Sequence, residues 1–247
     1  MRVEGVLFDI DDTLVDTRGA FGHALADVAR RYLPDLPPER YPELVTVWRA
    51  DVNGHYEAYT RGEVGYVEQR WSRANELHEQ FGAPALDEDG FALWDEGFQV
   101  AFAAGWTAHP EVDVVVDKLL AAGLVVGALS NADVAFQTQK LQRVSLLDRV
   151  PMLVGVDTLG FGKPDPRVFA EACRRLGTAP ERTAYVGDEL HVDAVAARAA
   201  GLLGIWVDRP GGRRHEIPDA TIAAARANGV LVIDTLDALP EALSVDD

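Results

Sequence analysis

The sequence predicts an α/β fold: a doubly wound, mostly parallel sheet of Rossmann-like type, with one all-helical block inserted near its start. Three observations carry that prediction. Val3 to Phe8 is a short apolar, β-branched run that ends in acids, as a strand buried on both faces would. From Pro110 onward, apolar runs alternate with helix-spaced segments, the pattern of successive βα units. Between about Asp16 and Gly105 the spacing is helical, with many aromatics and no convincing strand.

The inserted block reads as four helices: Phe21 to Tyr32, Pro42 to Tyr59, Val64 to Phe81 and Asp87 to Ala104. They are punctuated by Pro34, Pro37, Pro38, Gly62, Gly82 and Pro84. Four such helices predict a small bundle, with Trp48, Trp71 and Trp94 at core spacing. Strands are then expected at Leu124 to Leu129, Met152 to Val156, Thr183 to Val186, Gly204 to Val207 and Val230 to Ile233. Helices are expected between them at Glu111 to Ala122, Val134 to Gln142, Pro166 to Leu176 and Val192 to Ala200. The predicted catalytic core is therefore 1–15 with 106–247, and the predicted cap is 16–105. The insert leaves the core just after the acids that follow the first strand and returns near Thr107, so a small rotation about both crossings could open or close a crevice. Cys173 shares an apolar helical face with Val168, Phe169, Ala172 and Leu176, so it is expected to pack rather than react.

Composition narrows the function classes. A chain of 247 residues, 48% of them hydrophobic, can bury a real core, and no repeat or low-complexity tract interrupts it. Its formal charge of −17 opposes binding to nucleic acid, because the phosphate backbone demands Lys and Arg to displace its counterions. A site for any small phosphate must then be built locally, from a cation, a lysine and oriented amides. A single cysteine excludes internal disulfides, zinc ribbons and Cys-x-x-Cys redox chemistry. No apolar run reaches the roughly 20 residues needed to span a bilayer, and the acidic start does not read as a signal peptide. A soluble, cytoplasmic protein is the expectation.

Four clusters fall where this topology puts its ligand-binding edge, beyond the carboxyl ends of the strands. Asp9-Ile10-Asp11-Asp12-Thr13 follows the first strand, and Ser130-Asn131 follows the second. Gly162-Lys163-Pro164-Asp165-Pro166 opens a helix, and Gly187-Asp188-Glu189-Leu190-His191-Val192-Asp193 ends another strand. Two aspartates at i and i+2 share a strand face, and like charges so close call for a cation between them. Taken singly, each cluster has an ordinary reading as a solvated strand end, an N-cap pair or a surface turn. A P-loop fails, because Asp157 stands where glycine is required and Pro164 where Ser or Thr is required.

Together and in this order the clusters resemble the four motifs of the haloacid dehalogenase-like superfamily, in the branch with a helical cap inserted after the first motif. The resemblance implies a phosphatase in which Asp9 is the nucleophile and Asp11 the general acid and base. It implies that Ser130, Asn131 and Lys163 bind the phosphoryl group, and that Asp9, Asp11 and Asp188 hold Mg2+, Asp11 through its main-chain carbonyl. Asp193 would hold metal-bound water or orient Lys163. The implied substrate is a small phosphorylated metabolite. Mutases and haloacid dehalogenases share the core motifs, although the latter generally lack an acid at the position of Asp11; a phosphorylation-controlled signalling module is the alternative of another class. Glu189 departs from the family pattern, and His191 receives no role. Arg49, Arg70 and Arg73 are cap cations that could meet a second anionic group of the substrate.

Overall fold

The computed structural model describes residues 3–245. The chain divides into two compact units, one built from the stretch up to Asp16 together with Ala108 onward, the other from Thr17–Thr107. The second unit is helical throughout: α1 (Thr17–Tyr32), α2 (Tyr41–Ala50), α3 (His55–Thr60), α4 (Tyr66–Gln80) and α5 (Glu88–Ala104). The helix expected from Pro42 to Tyr59 is two helices. Asp51 ends α2 in the left-handed region at φ 44°, and Gly54 follows at φ 69°, so the chain turns before α3 starts. The Asp51 side chain accepts from the Tyr56 N–H at 2.9 Å, which satisfies an orphan donor of α3.

Aromatic rings fill this unit. Trp48 and Trp94 each lie 5.2 Å from Phe98, and Phe21 stacks on Phe102 at 4.6 Å, spacings at which ring pairs add to burial. Arg70 and Arg73 lie among these rings and pair with acids of the same unit. Arg70 pairs with Asp95 and lies over Phe98 at 4.6 Å; Arg73 donates to the Trp48 carbonyl at 2.5 Å and pairs with Asp51 at 3.4 Å; Arg49 is buried.

The first unit holds a sheet of six parallel strands: β1 (Gly5–Phe8), β2 (Val125–Leu129), β3 (Met152–Val154), β4 (Thr183–Gly187), β5 (Leu203–Val207) and β6 (Leu231–Ile233). Its helices are α6 (Val112–Ala121), α7 (Val134–Arg143), α8 (Pro166–Leu176), the short α9 (Ala196–Ala199), α10 (Asp219–Ala227) and α11 (Leu239–Ala242). The strand order is β3-β2-β1-β4-β5-β6, so β1 is central, with Phe8 opposite Ala128 on one side and Val186 on the other. Every residue of β1 is buried, which explains its unbroken apolar sequence. The expected third strand stops at Val154, because Gly155 leads into a single 3-10 turn, Val156–Thr158. On one face Leu7, Tyr185, Val168, Phe169 and the free Cys173 form a common apolar cluster, as expected for the α8 stripe.

Candidate active site

Asp9 is the first residue beyond β1, and its N–H still donates to the Val186 carbonyl of β4 at 2.8 Å. The chain winds from β1 one way through β2 and β3 and the other way through β4, β5 and β6. The ends of β1 and β4 therefore flank the point at which the strand order reverses, where doubly wound sheets bind ligands. The chain then doubles back: Leu14 and Val15 both donate to the Ile10 carbonyl, at 3.0 and 2.9 Å. Asp12 takes φ 58° in this turn, a left-handed conformation that aspartate adopts more readily than most residues.

Lys163 arrives from the loop before α8, in a position fixed by Asn131. The Asn131 side chain accepts from the Lys163 N–H at 2.6 Å and donates to the Lys163 carbonyl at 2.9 Å. A Cβ at Gly162 would lie 2.3 Å from Asn131 Oδ1, so this clasp requires glycine. Asn131, expected to bind phosphate, thus has its side chain committed to the lysine loop. The helix beyond starts at Pro166, as expected, and Asp165 serves as its N-cap by accepting from Arg167 N–H at 2.9 Å.

The buried Lys163 ammonium donates to Asp193 Oδ1 at 2.7 Å and to the Tyr185 hydroxyl at 2.7 Å, and it lies 2.9 Å from Asp9 Oδ1. Burial alone would push this lysine down, but the carboxylates of Asp193 and Asp9 outweigh it and hold the ammonium well above its ordinary value. Tyr185 donates onward to the Leu129 carbonyl at 2.9 Å, and burial raises its phenol well above the usual range, so it stays neutral. Asp193 sits on a π-helical turn, Leu190–Val195, where a plain helix was expected from Val192. Its second oxygen accepts from Glu189 N–H at 2.9 Å, and a Cβ at Gly187 would come within 2.3 Å of that oxygen.

Asp9, Asp188 and Asp193 each place a carboxylate oxygen within 4.8 Å of the others. Burial raises the carboxyl of Asp9 to about 7, with Lys163 pulling the other way and Asp193 and Asp11 adding to the rise. Asp188 is likewise held well above the carboxylate range, by burial first and then by Asp12 and Glu189. Oxygen donors alone, with Asp9 and Asp188 held above the carboxylate range, are the donor set and the electrostatic condition that a hard divalent cation relieves. The carboxylate of Asp11 is placed elsewhere. Gln137 Nε2 donates to its Oδ2 at 2.6 Å and the Lys140 ammonium donates to its Oδ1, and Asp11 is not among the three acids grouped above.

Ser130 is buried, and its hydroxyl oxygen accepts from Gln137 Nε2 at 2.7 Å and from Ala132 N–H at 3.3 Å. Glu189 pairs with Arg214 at 2.9 Å, and His191 is exposed. Gln137, Lys140, Tyr185 and Arg214 are the site residues that sequence reasoning missed. One signal was available: Gln137 occupies the apolar stripe of α7, one turn before the buried Leu141.

Residues 3–201 match the family model of haloacid dehalogenase-like hydrolases. The glyceraldehyde 3-phosphate phosphatase of Methanothermobacter thermautotrophicus is 30% identical over 250 residues, covering 98% of this chain and 100% of that protein. Among solved structures, a HAD-hydrolase from Bacillus subtilis bound to magnesium shares the fold with a TM-score of 0.77 at 21% identity, over 99% of this chain and 100% of that one. An L-2-haloacid dehalogenase superposes with a TM-score of 0.73 at 25% identity, over 98% and 99% of the two chains. A family pattern that spans most of the sequence thus coincides with the sheet end where the acids and the lysine meet, and the chain belongs to the haloacid dehalogenase-like hydrolases.

Proposed function

We propose that this hydrolase is a magnesium-dependent phosphatase that cleaves a small phosphomonoester through an aspartyl-phosphate on Asp9, with Asp11 as general acid and base. The observation that carries the reading is the division of labour between two carboxylates two residues apart. Asp9 lies against Lys163 in the three-acid group, whereas Asp11 is braced separately by Gln137 and Lys140. Halide leaving carbon needs no proton donor. A second carboxylate held apart from the nucleophile therefore favours ester hydrolysis over the dehalogenase chemistry of the structural relative.

In this reading an oxygen of Asp9 attacks phosphorus, the bond from phosphorus to the ester oxygen breaks, and the departing oxygen takes a proton from Asp11. Water then attacks the aspartyl-phosphate, gives its proton to Asp11, and the bond between Asp9 and phosphorus breaks to release inorganic phosphate. Lys163 and the Ser130 hydroxyl bind phosphoryl oxygens, and Asp193 keeps the ammonium aimed at the nucleophile. Asp9 and Asp188, with the main-chain carbonyl of Asp11, would hold Mg2+, which when bound supplies positive charge between nucleophile and anionic substrate. All these residues belong to the sheet unit; the role we assign to Thr17–Thr107 is that of the family's cap. The named substrate of the archaeal relative supports a small phosphorylated metabolite, and the net charge of −17 speaks against a nucleic acid. No helix among the described residues is long and apolar enough to cross a membrane.

The test is to incubate the protein with Mg2+ and a panel of alkyl phosphomonoesters, and in parallel with 2-chloropropionate. Phosphate release that EDTA abolishes and Mg2+ restores is expected. Chloride release without phosphate release would overturn the assignment.

The crowded acids also predict a pH-dependent response to the ion. A carboxyl raised in the folded state favours folding below its unfolded pKa, and that advantage is lost as pH climbs through the folded value, about 7 for Asp9. In EDTA these acids should therefore lower the melting temperature between about pH 4 and pH 8. Saturating Mg2+ should raise it more at pH 8 than at pH 5, where protons compete for the same oxygens. Equal Mg2+ shifts at both pH values would contradict the assignment of Asp9 and Asp188 to the cation.

A further inference from the structure

Two side chains one helical turn apart on α7 reach the general acid and base from behind. Gln137 and Lys140 are 0% and 1% exposed, whereas the Asp11 side chain they hold is 23% exposed, so the carboxylate faces outward and the ammonium lies beneath it. Each carboxylate oxygen has its own donor, Lys140 on Oδ1 and Gln137 Nε2 on Oδ2, which fixes the rotation of the carboxylate plane. The two amide hydrogens of Gln137 are divided, one to Asp11 and one to Ser130 Oγ. Ser130 Oγ, accepting from Gln137 and from Ala132 N–H, has both lone pairs engaged, so its own hydrogen is the one left to donate.

Stability alone is a poor reason for this arrangement. A lysine buried against one carboxylate loses most of its hydration, and apolar replacement of such pairs is often neutral or stabilising. Gln137 Oε1 is buried with no hydrogen-bond partner among the described residues, a further cost. The Lys140 ammonium donates to Asp11, and the Gln137 amide donates to Asp11 and Ser130.

We infer that Lys140 and Gln137 are positioning residues. They hold the Asp11 carboxylate at the angle from which it passes its proton to the leaving oxygen, and Gln137 ties that angle to the donor direction of Ser130. The inference rests on the phosphatase reading and deepens it, because it says which substrates should suffer when the brace is removed. An ester whose leaving group is stable as an anion needs little help from Asp11, whereas a poorer leaving group depends on it.

The test compares two near-isosteric esters, p-nitrophenyl phosphate and phenyl phosphate, for wild type, Lys140→Met, Lys140→Arg and Asp9→Asn, with Lys140→Met also made in an Asp11→Asn background. Lys140→Met should lower kcat on phenyl phosphate by about 10- to 100-fold, a part of what an acid catalyst supplies, and on p-nitrophenyl phosphate by about threefold or less, with little change in KM. Lys140→Arg, which keeps the charge, should recover most of the loss. Added to Asp11→Asn, Lys140→Met should cost nothing more. Equal loss on both esters, a further loss in the Asp11→Asn background, or no loss at all would overturn the positioning role while leaving the phosphatase reading intact. Activity surviving in Asp9→Asn would reject the nucleophile without altering what the leaving-group comparison says of Lys140. Wild type releasing phosphate from neither ester would overturn both.

Discussion

Asp9→Asn is expected to remove phosphatase activity, with a loss in kcat of about 10^3-fold or more, since the proposed covalent intermediate forms on the Asp9 carboxylate. The amide has the size of the carboxylate and can still approach Lys163, but it is not a nucleophile. Asp193 remains 2.7 Å from the Lys163 ammonium, so the variant keeps a counter-charge for the lysine and should fold. Its stability should also change in a way that a merely damaged protein would not show. Burial raises the wild-type Asp9 carboxyl to about 7, so above that pH, without metal, the folded state carries an anion it resists. Asparagine carries no such anion, and the variant in EDTA should lose less of its melting temperature between pH 5 and pH 8 than wild type does. Phosphate release by the variant at a rate close to that of wild type, from preparations free of each other, would reject Asp9 as nucleophile.

Much of this site was legible because strand ends are. The apolar run before Asp9 and the run before Asp188 predicted buried parallel strands, and in a doubly wound sheet their carboxyl ends must meet at one edge. Lys163 and Ser130 followed from the same logic, since each lies just past an apolar run or just before a helix. What sequence could not supply were partners chosen by tertiary approach. Gln137 and Lys140 are 126 and 129 residues from Asp11, and nothing local in α7 says which loop its polar positions will meet. Tyr185 reads as one more aromatic in a core strand until its hydroxyl is found between Lys163 and the Leu129 carbonyl. Asn131 reads as a phosphate donor through its amide near a helix start, and only the contact of its side chain with both main-chain groups of Lys163 shows that it also clasps the lysine loop. In the helical unit the misjudged boundary was at Asp51, whose left-handed backbone ends α2 although the surrounding spacing stays helical.

Lys163→Met should be the most disruptive single change in the sheet unit, and its effect divides between chemistry and folding. Methionine keeps most of the apolar stem but removes the one ammonium that faces Asp9, Asp193 and the Tyr185 hydroxyl together. Two buried carboxylates then lose their cation, and uncompensating a buried pair costs about 3–5 kcal/mol. Lys163 is held well above its ordinary value of 10.5, so its stabilising contribution is whole at neutral pH and disappears only as pH rises past that raised value. At pH 7 the variant should therefore show the full loss as a lower midpoint of urea unfolding with an unchanged slope. Mg2+ bound at Asp9 and Asp188 should recover part of that loss but not the activity, because the ammonium we assign to neutralising the phosphoryl group in the transition state is gone. The second measurement separates the two roles: acidifying the variant in EDTA should narrow its deficit relative to wild type, as a proton on Asp9 takes the place of the missing cation. A deficit that stays constant from pH 8 to pH 5 would mean that the stem of Lys163, and not its charge, holds this end of the sheet together.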